Sequence, residues 1–311
     1  MSNIAVSYWA GTLPTISNLH FTSFKFNNDK NFKYILFLDN DIKSNPSISN
    51  DLLWLLNESW FEIRYFSLTK MMNDFKIANF SKWHNNLFYK TCRKFKIKII
   101  KTKIRIYTIY NSLTRSQFLS NNYNSEIGIS FSHTQKFTGL SGHLTYRSDV
   151  FRSIIAGKFP NDNVLYVDID ICFVKQFNDY DWSKAFTSPW GLSKFANTAI
   201  IFFPAYDQIL RRRILSELKQ SSAAWPWMLY SKEKCEYFGL ELRRIEDFDP
   251  PWATSNPSTG NSSSFMKKQA NSQEIVDWAD NNSFCFHWHN QWNVIPEVGS
   301  AYDIYFERYK V

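Results

Sequence analysis

The stretch NVLYVDIDICF, residues 163–173, decides the fold of this 311-residue chain and the location of its chemistry. Its β-branched and aromatic residues, bounded by the polar PNDN on the left, predict a buried strand over residues 163–171. Asp168 and Asp170 lie two positions apart at the end of this run, so on a strand their side chains leave the same face. The sequence therefore predicts two carboxylates that converge at a strand end.

Two carboxylates in one place repel each other. At an effective dielectric of about 20, like charges about 4 Å apart repel by about 4 kcal/mol, so the pair favours a cation or a shared proton. A hard divalent ion such as Mn²⁺ or Mg²⁺ prefers such oxygen ligands, completed by substrate phosphates and water. The alternative is that these acids merely cap the next turn, since D-x-D also occurs by chance.

A second group of polar residues precedes this stretch, in YRSDVFRSIIAGKFP. The pattern predicts a helix over residues 139–157, on which Asp149 and Arg152 share one face. A carboxylate there can accept hydrogen bonds from hydroxyl groups, and a guanidinium can bind phosphate oxygens with its planar fork. The alternative is an ordinary i, i+3 surface ion pair worth a few tenths of a kcal/mol.

The remaining apolar runs alternate between strand and helix patterns. Strands are predicted at residues 4–9, 32–38, 60–68 and 198–203, and helices at residues 15–26, 49–57 and 207–219. Strands that alternate with helices indicate an α/β fold with a mainly parallel central sheet, in which ligands bind at the carboxyl ends of the strands. The Ser-, Asn- and Pro-rich residues 254–264 predict a mobile loop.

Residues 70–140 differ in character and predict a basic, partly helical insertion. The run KFKIKIIKTKIRIY, which starts at Lys94 and includes Arg105, alternates basic and apolar residues without an acid. This composition suits contact with an anionic membrane surface. It equally suits an amphipathic edge strand whose lysines prevent aggregation.

Composition narrows the class of protein. The chain is 44% hydrophobic, and its net charge of +8 attracts anions such as nucleotide phosphates, nucleic acid or acidic lipid. The four cysteines form no CxxC pair, which favours a reducing cytosol over a disulfide framework. No segment has the roughly 18 uncharged apolar residues of a membrane span. A cytoplasmic protein, free or peripheral on the inner face of the membrane, is expected.

The elements Ser148-Asp149-x-x-Arg152 and LYVDID, in this order, resemble a known family. They are similar to the core of GT-A fold glycosyltransferases with a DXD sugar-binding region, which include yeast-type mannosyltransferases, α-1,4-galactosyltransferase-like enzymes and clostridial glucosylating toxins. The opening YWAG and the closing FCFHWHNQWN also resemble segments of this group. The sequence departs from the group at residues 159–164, where a glycine pair is expected before the tyrosine.

The resemblance implies one Rossmann-like GT-A domain over residues 1–311 that binds a nucleotide-sugar, with the insertion at about 70–140. It implies roles for seven residues of this sequence. The expected metal ligands are Asp168, Asp170 and His287; the expected donor contacts are Trp9, Asp149, Arg152, Asp168 and Trp292; and the expected catalytic residues are Asp170, Asp149 and Arg152. For His287 and the neighbouring His289, the alternative is aromatic packing with hydrogen-bonded imidazoles.

The implied reaction is metal-dependent transfer of a sugar, with retention, from a nucleotide-sugar donor, UDP-sugar being favoured. A glycan or lipo-oligosaccharide is the expected acceptor, and a host protein modified by a toxin or effector is an alternative. A protein that binds nucleotide-sugars or nucleic acid without catalysis is the alternative of another class. No nucleic-acid motif is present in the sequence, so nucleic acid is not an expected partner.

Overall fold

The computed structural model describes residues 2–28, 30–41, 46–75, 140–189, 194–220, 229–248, 263–288 and 294–310. The chain forms two compact units, one made of Met1–Leu68 with Tyr146–Val311 and the other of Thr69–Thr145. The predicted basic run and most of the predicted insertion lie outside the described residues, so the single domain with an insertion stays a prediction. No described helix combines the length and the apolar character needed to cross a membrane.

Strands and helices alternate along the first unit. The strands are β1 (Asn3–Trp9), β2 (Thr12–Leu13), β3 (Lys33–Asp39), β4 (Ser47–Ile48), β5 (Phe61–Phe66), β6 (Asn163–Val167), β7 (Ile171–Phe173), β8 (Phe186–Pro189), β9 (Ala196–Phe203), β10 (Glu241–Leu242) and β11 (Cys285–His287). The helices, of which the second lies mainly in the other unit, are α1 (Asn18–Asn27), α2 (Leu68–Asp74), α3 (Leu140–Lys158), α4 (Gln208–Gln220), α5 (Lys232–Phe238), α6 (Ser263–Met266), α7 (Ser272–Asn282) and α8 (Ala301–Tyr309).

A seven-stranded sheet forms the centre, in the order β10-β8-β9-β6-β1-β3-β5. Strands β6, β1, β3 and β5 are parallel neighbours, whereas β9 is antiparallel to both β6 and β8. The parallel strands end in the same direction, so Trp9, Asp39 and Val167 lie at one edge of the sheet. The predicted α/β class with a mainly parallel sheet is confirmed.

Helices cover both faces of this sheet. Tyr34 of β3 packs on Phe21 and Phe24 of α1, with ring centroids 5.4 and 4.8 Å apart. Phe37 lies three positions after Tyr34 on β3, and its ring centroid is 5.2 Å from that of Phe151 in α3. Because strand side chains alternate between faces, α1 and α3 lie on opposite sides. Burial on both faces explains why these strands read as continuous apolar runs.

Two sequence predictions were wrong in detail. The strand predicted over residues 163–171 ends at Val167. The Asp168 N–H still donates to the carbonyl oxygen of Ala199 at 2.7 Å, and the chain then turns and leaves the central sheet. It continues as β7, which pairs with the antiparallel β11 in a separate two-stranded sheet. The helix predicted over residues 49–57 is a 3₁₀ helix, Asn50–Asn57.

A buried arginine of α4 joins the elements around the start of β6. The Arg211 guanidinium donates to five carbonyl oxygens, of which that of Ala156 in α3 lies at 2.8 Å, that of Asp162 at 2.7 Å and that of Pro204 at 3.0 Å. The other two belong to Phe159 and Phe203. Arg211 thus fixes the end of α3 against β6, in the turn where the sequence lacks the expected glycine pair.

We expect Arg211→Met to destabilise the protein by about 3 kcal/mol, because buried carbonyl groups lose a charged donor. The adjacent Arg212 is exposed on the same helix, so Arg212→Met should change the free energy of unfolding by less than about 0.5 kcal/mol. Urea denaturation of both variants measures the difference. Equal stability of the two would contradict the structural role of Arg211.

Candidate metal centre

The acidic turn, Asp168-Ile169-Asp170, lies between β6 and β7 at the carboxyl edge of the parallel strands. Backbone hydrogen bonds hold the turn at both ends: Asp168 donates to Ala199 on β9, and the Trp288 N–H donates to the carbonyl oxygen of Asp170 at 2.9 Å. The Asp170 side chain is nearly buried, whereas that of Asp168 is about one-fifth exposed. The two carboxylates converge because the backbone turns, and not because they share a strand face.

The third member of the site arrives from the C-terminal part of the chain. Strand β11 pairs with β7 so that His287 lies opposite Ile171, and its Nε2 lies 3.1 Å from Oδ1 of Asp170. One ligand atom from each of Asp168, Asp170 and His287 lies within 4.8 Å of the other two. Two carboxylates and one imidazole form a donor set that suits a divalent cation such as Mn²⁺.

Arg152 of α3 provides the positive charge next to this cluster. Its Nη2 lies 3.2 and 3.3 Å from the two carboxylate oxygens of Asp168 and donates to Ser148 Oγ at 3.0 Å. Its Nη1 donates to Thr198 Oγ1 at 2.7 Å, and its guanidinium carbon lies 5.0 Å from the centre of the Tyr166 ring. The guanidinium is therefore fixed against Asp168.

Burial and charge oppose each other in these acids. Removal from water raises the pKa of Asp168, as does the charge of Asp170, while Arg152 lowers it. Burial likewise raises the pKa of Asp149 to about 7, against the lowering effect of Arg152, whose Nη2 lies 3.4 Å from Asp149 Oδ1. Among the described residues, the other carboxylate oxygen of Asp149 has no hydrogen-bond partner. The acids thus form a crowded negative cluster with one guanidinium.

The structure brings together five of the seven predicted site residues. Asp149, Arg152, Asp168, Asp170 and His287 form one continuous cluster.

The two predicted tryptophans, Trp9 and Trp292, are not among these five residues. Trp9 ends β1, next to β6, and its indole N–H donates to the carbonyl oxygen of Thr12 at 3.1 Å. It lies on the sheet face opposite Tyr8, whose ring contacts α3. Trp292 lies outside the described residues, as do His289 and most of the predicted mobile loop.

Sequence reasoning missed two residues that contact the cluster, Tyr166 and Asn197. The Tyr166 hydroxyl donates to Asp168. The Asn197 amide nitrogen lies 3.4 Å from His287 Nδ1, and its carbonyl oxygen accepts from the Ala199 N–H at 3.0 Å. Signals for both were present: Tyr166 precedes Asp168 by two positions, and Asn197 and Thr198 interrupt an otherwise apolar strand. Such neighbours orient ligand side chains.

A second pair of acids at the same sheet edge also binds an arginine. Asp39, at the end of β3, is fully buried and accepts from Arg147 Nε and from the Tyr8 hydroxyl, each at 2.7 Å. Arg147 also contacts the Asp41 carboxylate. These charges are therefore paired with one another in this structure.

Comparisons with known proteins give similarities in structure only. No protein-family model matches the chain, and no curated protein matches it by sequence. A solved structure titled as the WbbM bifunctional glycosyltransferase in its apo form has 9% identity and a TM-score of 0.48, covering 99% of this chain and 50% of that one. The apo glycosyltransferase GlyE of Streptococcus pneumoniae TIGR4 has 9% identity and a TM-score of 0.45, covering 100% and 61%.

A third similar structure is mouse xyloside xylosyltransferase 1 in its apo form. It has 6% identity and a TM-score of 0.43, covering 94% of this chain and 99% of that one. The chain spans less than two thirds of the WbbM and GlyE chains.

We expect Arg152→Met to cost about 3 to 5 kcal/mol of stability, because the variant leaves Asp168 without its buried partner. The double variant with Asp168→Asn should cost less than the sum of the two single changes, since position 168 then carries no unpaired charge. Chemical denaturation of the three variants completes the cycle. Strictly additive costs would show that the two side chains do not interact.

Proposed function

We propose that the protein is a metal-dependent glycosyltransferase of GT-A type that uses a nucleotide-sugar donor. One observation carries the proposal: Asp168, Asp170 and His287 present ligand atoms within 4.8 Å of one another at the carboxyl edge of a parallel sheet. That edge is where open α/β sheets bind nucleotides. Two carboxylates and an imidazole next to a nucleotide site favour a divalent cation shared with the donor diphosphate.

The three ligands would hold Mn²⁺ or Mg²⁺. A bound ion of this kind supplies Lewis-acid stabilisation of the negative charge on a departing nucleoside diphosphate. Asp170 and His287 are mostly buried and held by the β7–β11 pairing, which supports a role as fixed ligands. Asp168 is the more exposed acid and is oriented by Arg152 and Tyr166. It is therefore the ligand that faces the incoming substrate.

The proposal gives Arg152 and Asp149 roles behind these ligands. Arg152 binds Asp168, so it lowers the repulsion between the acids and keeps a positive charge near the diphosphate. Asp149 contacts the same Nη2 of Arg152 as Asp168 does, at 3.4 Å, and helps to orient the guanidinium. Contacts of Trp9 with the nucleotide base and of Trp292 with the donor remain part of the proposal.

The finer assignments follow from the resemblance in sequence. UDP-sugar is the favoured donor, a glycan or lipo-oligosaccharide is the favoured acceptor, and retention is the favoured outcome. Association with the inner face of a membrane through the Lys94 run is proposed on its charge alone.

We expect Mn²⁺ together with UDP to raise the melting temperature of the wild-type protein, because ligands that bind only the native state stabilise it. Asp170→Asn should abolish the shift, since one charged ligand is lost. Asp277→Asn, on the exposed face of α7, should retain it. A shift of equal size in the Asp170 variant would exclude these acids as the cation site.

Turnover distinguishes an enzyme from a binding protein. With a panel of UDP- and GDP-sugars, we expect slow donor hydrolysis that requires Mn²⁺ or Mg²⁺, stops on addition of EDTA and is lost in Asp170→Asn. Release of UDP or GDP measured by chromatography gives the rate. Tight, metal-dependent binding of a donor without any release of nucleotide would support the non-catalytic alternative instead.

A further inference from the structure

Three polar side chains lie fully buried beneath the acidic turn and take no part in the site described above. They are Ser7 of β1, His20 of α1 and Tyr34 of β3. Buried polar groups cost free energy unless they form hydrogen bonds, so their partners show what they do.

The three side chains form a continuous chain of contacts, the Ser7–Tyr34–His20 chain. His20 Nδ1 lies 2.7 Å from the carbonyl oxygen of Ile171, and its Nε2 lies 2.7 Å from the Tyr34 hydroxyl. The Tyr34 hydroxyl contacts Ser7 Oγ, and Ser7 donates to the carbonyl oxygen of Val167. The two ends of the chain thus reach two backbone carbonyl groups.

Those carbonyl groups stand on either side of the acidic turn. Val167 is the last residue of β6 and Ile171 is the first of β7, so the metal-ligating acids lie between the two anchored positions. Carbonyl oxygens only accept, so His20 donates from Nδ1. Burial lowers the pKa of His20 to about 4, so the neutral ring accepts from Tyr34 at Nε2. The single Ser7 hydroxyl proton is then shared between the Tyr34 oxygen and the Val167 carbonyl oxygen.

Helix α1 makes two more bonds to the same strand. Ser23 Oγ accepts from the Phe173 N–H at 3.1 Å, and the Asn27 amide donates to the Phe173 carbonyl oxygen at 3.0 Å. His20, Ser23 and Asn27 are three and four residues apart, so they form one polar stripe on α1.

The stripe meets the edge of β7 that faces away from β11. Successive residues of a strand direct their backbone groups to opposite edges. Ile171 and Phe173 bond to α1, whereas the neighbouring Asp170 and Val174 bond to Trp288 and Phe284, on either side of β11. Strand β7 is therefore held on both edges, by backbone on one side and by side chains of α1 on the other.

We propose that the Ser7–Tyr34–His20 chain, with the polar stripe of α1, positions the acidic turn and β7 so that Asp168, Asp170 and His287 are in place before a cation binds. These are positioning residues, because none of them contacts the cluster of ligand atoms. The role in cation binding rests on the proposed function, whereas the role in holding the turn does not. This role explains why α1 carries the polar residues His20, Ser23 and Asn27 on the face that contacts β7.

Tyr34→Phe tests the proposal, since it removes the hydroxyl that joins the two halves of the chain and keeps the ring. Tyr305→Phe is the matched control: Tyr305 is equally buried, and its hydroxyl bonds to Asp280 and to the Val276 carbonyl group, away from the turn. His20→Gln is a second variant. Hydrogen exchange followed by mass spectrometry compares metal-free proteins, and calorimetry measures Mn²⁺ affinity.

In Tyr34→Phe and His20→Gln we expect faster amide exchange in residues 163–173 and, as for other groups that orient metal ligands, a loss of about 10-fold or more in Mn²⁺ affinity. Tyr305→Phe should match the wild type in both measurements. Unchanged exchange of residues 163–173 in both variants would overturn the proposal, as would faster exchange spread evenly over the sheet. If the wild type binds no Mn²⁺, the proposed function fails, and the exchange comparison still decides whether the turn is held.

Discussion

The repulsion between Asp168 and Asp170 is the constraint on which the arrangement of the site depends. A chain that brings two carboxylates together must hold them there against a Coulombic cost and against the loss of water. In this protein the backbone of the acidic turn bonds to β9 at one end and to Trp288 at the other. Arg152 offsets part of the charge of Asp168, and His287 lies against Asp170. Each acid therefore has its own partner from a distant segment.

The sheet and the small ribbon contribute differently to this arrangement. The parallel strands bring Trp9, Asp39 and Asp168 to one edge, as the topology of any such sheet does. The antiparallel β7–β11 pair then adds His287, which the central sheet alone would not bring there. Helix α3 adds Arg152 and Asp149 from one face, and α1 supports the turn from the other. The proposed chemistry thus depends on these side chains, and the position of the side chains depends on backbone pairing and helix packing.

Much of the fold was predictable because the strands carry its strongest signal. Continuous apolar runs identified β1, β3, β9 and the start of β6 within a residue or two, since strands buried on both faces have few polar positions. The end of β6 was not predictable, because Ile169 and Ile171 continue the apolar alternation through the turn. What ends the strand is the long-range pairing of β7 with β11, which no local pattern contains.

The candidate site was predictable to a similar extent. The spacing of Asp168 and Asp170 predicted that their carboxylates lie close together. The contact of Arg152 with Asp168, by contrast, depends on how α3 packs on β6. Asn197 could have been noticed as a polar residue in an apolar strand, but its proximity to His287 requires the three-dimensional structure. A family resemblance predicted His287 as a metal ligand, whereas residue spacing alone left its role open.

The β7–β11 pairing also affects how the protein acquires its site during synthesis. The acids emerge from the ribosome long before the histidine, so the parallel strands β1, β3, β5 and β6 and the acidic turn are all synthesised before β11 and His287. Until β11 docks, Asp170 lacks its imidazole neighbour. Under the proposed function, a cation that enters at this stage would meet fewer ligands and bind more weakly. If the protein binds a cation as proposed, high-affinity binding would therefore mark the docking of β11.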